Sequence, residues 1–150
     1  MAPTLTQALE IEAAAVRLLA AREHSRAELA RKLAARFAPE ALAAVLDDLS
    51  QRGLQSDQRF AEQYLRMRAN RGYGPLAIRH ELQQRGISAD LVSQVMDALD
   101  LDWAEQLRQV HERKFGAELP QDYKESGRRG RFLAQRGFSA DLIHSLLKGH

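Results

Sequence analysis

Leu33, Arg36, Phe37 and Leu42 recur without gaps as Leu82, Arg85, Gly86 and Leu91, and again as Leu133, Arg136, Gly137 and Leu142. The offsets are 49 and 51 residues. Between the first two copies the register extends upstream, pairing Leu18 with Met67, Arg22 with Arg71, His24 with Tyr73, Ser25 with Gly74 and Leu29 with Ile78. A repeat of about fifty residues limits the fold more than any other feature of the chain. Each unit is a small supersecondary structure that buries its apolar face by stacking on neighbours, as in helical arrays.

The spacing of apolar residues fills each unit with helices. Ile11, Ala14, Ala15 and Leu18 lie at 0, 3, 4 and 7, as do Leu42, Val45, Leu46 and Leu49. Ser25 with Glu28 makes a capping box ahead of Leu29 and Leu33. Pro39 suits a first helical turn, and Gly53 stops the helix it opens. Ser56 or Asp57 caps a fourth helix, whose buried side is expected to be Phe60, Tyr64 and Met67. Ser88 caps a sixth helix, and Asp102 with Glu105 opens a seventh through Trp103, Leu107 and Val110. An eighth is expected from Pro120 through Tyr123, Phe132 and Leu133, although Gly127 and Gly130 each cost about 1 kcal/mol relative to Ala. Phe138 and Ser139 start the last helix, with Leu142, Ile143, Leu146 and Leu147. No segment alternates with period two, and neither Asn-Gly nor Asp-Gly occurs.

The fold class is therefore all-α, with three tandem three-helix repeats resembling helix-turn-helix units and expected to form a curved, elongated array. The expected divisions are a tail at 1–8 and repeats at 9–54, 55–100 and 101–150.

Charge follows the same beat. Segments 17–36, 59–86 and 106–136 each carry +4, whereas 37–58 carries −3 and 87–105 carries −5. The overall net charge of +2 hides this alternation. Stacked in one direction, the units would align a basic stripe. Of the 22 basic residues 18 are Arg, the side chain suited to bidentate phosphate or carboxylate contacts. There is no cysteine, which excludes a disulfide framework and fits a reducing compartment. Residues 1–12 lack the pattern of a signal peptide, and no apolar run approaches the ~20 residues of a membrane span. A cytoplasmic protein is expected.

The joint Arg71-Gly72-Tyr73-Gly74-Pro75 is a helix stop followed by a helix start, crowded by Arg66, Arg68, Arg71, Arg79 and Arg85. Gly72, Gly74 and Ala77 formally fit a dinucleotide fingerprint, but an Arg-rich helix precedes them where a buried strand is needed. His80-Glu81 and His111-Glu112 begin a zinc-helix pattern whose fifth positions, Gln84 and Phe115, carry no imidazole. No P-loop pattern occurs. Neither catalysis, a metal nor a cofactor is expected. Phe60, Tyr64, Trp103, Phe132 and Phe138 read as core. For Tyr73 two roles stand open: stacking on or donating to a partner, or folding back over Ile78.

The segments Ser25 to Leu29, Arg59-Phe60-Ala-Glu62, Arg71 to Pro75 and Arg85-Gly86-Ile87 resemble the bacterial RecX family of RecA regulators. Arg131-Phe132-Leu133 and Arg136-Gly137-Phe138 are similar to that family's C-terminal segment. The resemblance spans roughly Leu9 to Leu147, with Phe37 replacing the helix-stopping glycine of the first unit. It implies a non-enzymatic negative regulator that lodges in the groove of the RecA–DNA filament. There it would restrain filament extension, ATP hydrolysis, strand exchange and coprotease activity. The candidate contacts for RecA or DNA are Arg22, Arg26, Arg66, Arg68, Arg71, Tyr73, Arg79, Arg85, Arg128, Arg129, Arg131 and Arg136. A monomer is expected, with weak direct contact to single- or double-stranded DNA. A free-standing DNA-binding protein is the alternative, and a peptide-binding helical scaffold ranks last.

Overall fold

The structure is a computed structural model in which residues 2–148 are described. Among them the chain forms nine helices and no strand. They are α1 (Leu5–Ala21), α2 (Arg26–Leu33), α3 (Pro39–Gln51), α4 (Asp57–Asn70), α5 (Pro75–Gln84), α6 (Ala89–Leu99), α7 (Trp103–Phe115), α8 (Tyr123–Gln135) and α9 (Ala140–Leu147).

Local chemistry sets most boundaries. α1 begins earlier than its apolar stripe: Thr4 and Gln7 form a capping box, so residues 5–8, expected as tail, are helical. Ser25 and Glu28 form the same box on α2. At α4 the cap is Ser56, whose hydroxyl accepts the Arg59 N–H at 3.1 Å. Asp57 instead turns to the Arg26 N–H (2.9 Å) and the Gln55 amide (2.9 Å). α8 starts at Tyr123 and not at Pro120, because the Asp122 carboxylate accepts the Glu125 N–H. Gly53, Gly72, Gly86 and Gly137 take positive φ. After each, the next N–H reaches back to a carbonyl five positions earlier, as Leu54 does to Leu49 (2.9 Å) and Ile87 to Leu82 (3.1 Å).

The chain packs as two compact units, and their border runs through the middle repeat. One unit holds the residues up to Gln63 with Leu82–Val95; the other holds Tyr64–Glu81 with the residues from Met96 onward. The first is built on Ile11, Ala15, Leu29, Leu33, Leu42, Leu46 and Leu49, where α1 and α2 pack on α3. The second has Leu107, Val110, Leu133, Phe138 and Ile143, where α7, α8 and α9 meet.

Both units use the same joint. In the first, the Ser25 hydroxyl at the α2 N-terminus donates to the Arg85 carbonyl at 2.7 Å. In the second, the Gly74 N–H at the α5 N-terminus donates to the Arg136 carbonyl at 2.7 Å. Ser25 and Gly74 are equivalent in the repeat register, as are Arg85 and Arg136, so the equivalent carbonyl is engaged twice, once by a hydroxyl and once by a backbone N–H. Glycine permits it. A Cβ on Gly86 would fall 2.3 Å from the Ala27 Cβ, and one on Gly137 would fall 2.4 Å from the Ala77 Cβ.

The apolar side of α4 differs from expectation. Phe60, Ala61, Leu65 and Ala69 are buried, Tyr64 is half-buried, and Met67 is 36% exposed. The helix carries apolar residues in two registers, and tertiary packing selects the one lined by alanines.

Candidate functional site

The Arg-rich joint between α4 and α5 lies within the second unit. Gly72, at φ 93°, ends α4, and Pro75 opens α5. Behind the joint Glu81 of α5 gathers two donors of α4. The Arg68 guanidinium grips its carboxylate with both prongs, Nε to Oε1 at 2.9 Å and Nη2 to Oε2 at 3.2 Å. The Tyr64 hydroxyl donates to Oε1 at 2.6 Å. Burial alone would lower the Arg68 pKa, but the Glu81 carboxylate outweighs it and raises it.

Tyr73 has a role within the chain that the sequence did not show. Its ring is half-buried, with the Arg68 guanidinium 3.7 Å from its centroid and that of Arg136 at 4.9 Å. Such stacking holds the two arginines in place. Arg136 also donates to the Arg71 carbonyl at 3.4 Å and lies 5.1 Å from the Phe132 centroid.

The other candidate cations divide by partner. Arg22 pairs with Glu28 at 3.3 Å, Arg26 with Asp47, and Arg85 lies 3.8 Å from Glu28. Arg128 and Arg129 share Glu125. Arg129 is well enclosed, with its side chain 12% exposed, and also donates to the Glu118 carbonyl at 2.8 Å. Arg79 is half-buried on α5. Arg66, Arg71 and Arg131 are exposed and enter no ion pair among the described residues. Six of the candidate arginines, Arg22, Arg26, Arg68, Arg85, Arg128 and Arg129, thus meet the chain's own carboxylates.

One place lacks such a carboxylate. Arg71, Arg113, Lys114 and Arg136 line a cleft of about 260 Å³ together with Gly72, Val110 and Phe132. Sequence reasoning missed Arg113 and Lys114. The signal was the adjacent pair in the last turn of α7, inside the +4 segment 106–136.

Two buried histidines bear on acid stability. His24 lies between Lys32 Nζ, 3.1 Å from Nε2, and the Arg22 carbonyl, 3.0 Å from Nδ1. Desolvation, with the Arg22 and Lys32 charges, lowers its pKa below 6.5 despite the raising effect of that carbonyl. His111 receives Arg129 Nη1 at 3.1 Å, and desolvation followed by that charge lowers it too. Glu28 is also lowered: burial alone would raise it, but the Ser25 amide and Arg22 outweigh burial. Hydrogen bonds from Arg128 and Arg129 hold Glu125 down at about 2.

The sign follows from proton uptake. Above about pH 6.5 both histidines are neutral, folded or unfolded, and add no pH dependence. Below it the unfolded chain takes up protons that the folded chain refuses, so stability falls. Below about pH 4.5 the lowered glutamates add to the loss. The thermal midpoint is expected to stay level between about pH 8 and 7 and to drop between about pH 6.5 and 5. A level midpoint down to about pH 5 would show that the histidines do not resist protonation.

Among the described residues no group of three or more acids or histidines is placed to hold a metal ion, and no helix is long and apolar enough to cross a membrane.

Residues 13–49, 56–96 and 100–147 match the first, second and third three-helix domains of RecX. The chain is 46% identical over 146 residues to the Regulatory protein RecX of Ectopseudomonas mendocina, covering 97% of both chains. It is 44% identical over 150 residues to the protein of that name from Pseudomonas fluorescens, covering 99% of this chain and 97% of the other. The crystal structure of RecX from Lactobacillus salivarius superposes with a TM-score of 0.81 at 20% identity, covering 97% of each, a likeness of fold. The all-α architecture of three tandem three-helix repeats, with these matches along it, places the chain in the RecX family of regulatory proteins.

Proposed function

We propose that this chain is a non-enzymatic negative regulator of RecA that binds in the groove of the RecA–DNA filament. Bound there, it restrains filament extension, ATP hydrolysis, strand exchange and coprotease activity. The observation that carries the reading is family membership along almost the whole chain, 97% of it against a regulatory relative. The cationic surface supports it, since exposed Arg66, Arg71 and Arg131 are free to meet acidic side chains or phosphates. Cytoplasmic location and action as a monomer belong to the same reading.

The uncompensated cleft keeps a second reading alive, a DNA-binding protein that needs no recombinase. Binding to bare single-stranded DNA and to a preformed RecA filament, each over a salt series, separates the two. The regulator reading expects filament binding to be at least about tenfold tighter than binding to bare DNA. Equal affinity for both, with the steep salt dependence of counterion release, would favour the second reading.

A further inference from the structure

We infer that the cleft formed by the last turn of α7, by α8 and by the α4–α5 joint is a phosphate subsite for one strand of nucleic acid. The inference deepens the reading above, because a filament regulator meets the strand that the filament holds. It is tested without RecA, so the two can fail separately.

Charge sets the cleft apart. Several other arginines are neutralised internally: Arg108 with Glu105 and Glu112, Arg68 with Glu81, and Arg128 and Arg129 with Glu125. In the cleft four cations converge and no carboxylate lines it. Glu112, next to Arg113 in the chain, is engaged 2.7 Å from Arg108. A concave site that gathers like charges without a partner raises the local concentration of anions.

Three of the four cations are also held in part by the chain. Arg136 stacks near Tyr73 and Phe132, Lys114 Nζ lies 5.1 Å from the Phe132 centroid, and Arg113 Nε donates to the Gln109 carbonyl at 3.4 Å. These contacts restrict three of the four cations before binding, which lowers the ordering cost.

The class of ligand follows from the donors. Every polar side chain of the lining is a donor, three guanidiniums and one ammonium. A peptide presents N–H groups as well as carbonyls, and its N–H groups would find no side-chain acceptor here. A phosphodiester only accepts, and its paired oxygens fit the guanidinium fork. The volume suits one backbone. Because the Phe132 ring already carries two cations, bases gain no open platform, so binding is independent of sequence.

The test uses the full chain and a fluorescein-labelled oligothymidine of about 15 nucleotides, followed by anisotropy over a salt series. The Arg113→Ala/Lys114→Ala variant should bind about tenfold weaker at low salt. Its salt slope should be shallower by about 1.4, since each single-strand phosphate contact contributes about 0.7. Arg17→Ala/Arg31→Ala removes the same charge from exposed positions of α1 and α2, and should stay within about twofold of the wild type. Arg113→Lys/Lys114→Arg should restore the slope, which a folding defect would not allow. Equal loss in both alanine pairs, or none in the cleft pair, would overturn the inference. Displacement of the oligonucleotide by a glutamate-rich peptide more readily than by unlabelled oligothymidine would overturn it too.

Discussion

Gly137→Ala is expected to lower stability by about 3 kcal/mol or more, moving the thermal midpoint down by about 10 °C. Gly137 has φ 99°, where an L side chain costs roughly 1–2 kcal/mol. Steric overlap costs more than that backbone strain. The new Cβ would lie 2.4 Å from the Ala77 Cβ and 2.6 Å from the Ala77 nitrogen, in the first turn of α5. Relief requires moving that turn, which carries the Gly74 N–H bond to Arg136 (2.7 Å) and the Leu76 N–H bond to Gly137 (3.0 Å). Gly53→Ala separates strain from overlap: Gly53 has φ 77° and nothing within 4 Å of its virtual Cβ. It should cost only about 1 kcal/mol. Equal losses in denaturant unfolding would mean that close approach at Gly137 is not what joins the elements. At the equivalent Gly86 the obstacle is the Ala27 methyl, so Ala27→Gly should relieve much of the damage of Gly86→Ala.

Leu133→Ala should cost about 3 kcal/mol, read as a lower denaturant midpoint, and should cost α8 most of its amide protection. α8 is a poor helix by composition, since Gly127 and Gly130 each take away about 1 kcal/mol. Its Asp122 cap returns about 1 kcal/mol. What remains is packing. Leu133 is fully buried, in one cluster with Leu107, Val110, Phe138 and Ile143, and is the buried residue of the helix. α8 positions Arg128, Arg129, Arg131 and Arg136, so its fraying should also weaken whatever the basic face binds. Unchanged α8 protection in a destabilised variant would contradict that dependence.

What could be read from sequence was what local chemistry decides. The Ser25 and Asp102 caps, the glycine stops and the absence of strand patterning each depend on residues a few positions apart, and the repeat shows as identity of letters at a fixed offset. The buried side of α4 could not be read that way. Leu65 and Met67 are both apolar, and only the packing partner decides which is covered. The state of Tyr73 depends on Arg136, which arrives from the third repeat. Summed charge along segments made Arg68 and Arg129 look like Arg71. It could not show that Glu81 and Glu125 hold the first two while the third stands without a carboxylate. Arg113 and Lys114 gain meaning only once the joint is folded against α7 and α8.

The measurement that bears most directly on the regulator reading is RecA ATP hydrolysis on single-stranded DNA, with this protein titrated well below the RecA concentration. Inhibition is expected at such substoichiometric amounts, because one molecule lodged in a growing filament stops many subunits from adding. Inhibition appearing only when the protein is abundant enough to coat the DNA would contradict that reading, leaving simple competition for the strand.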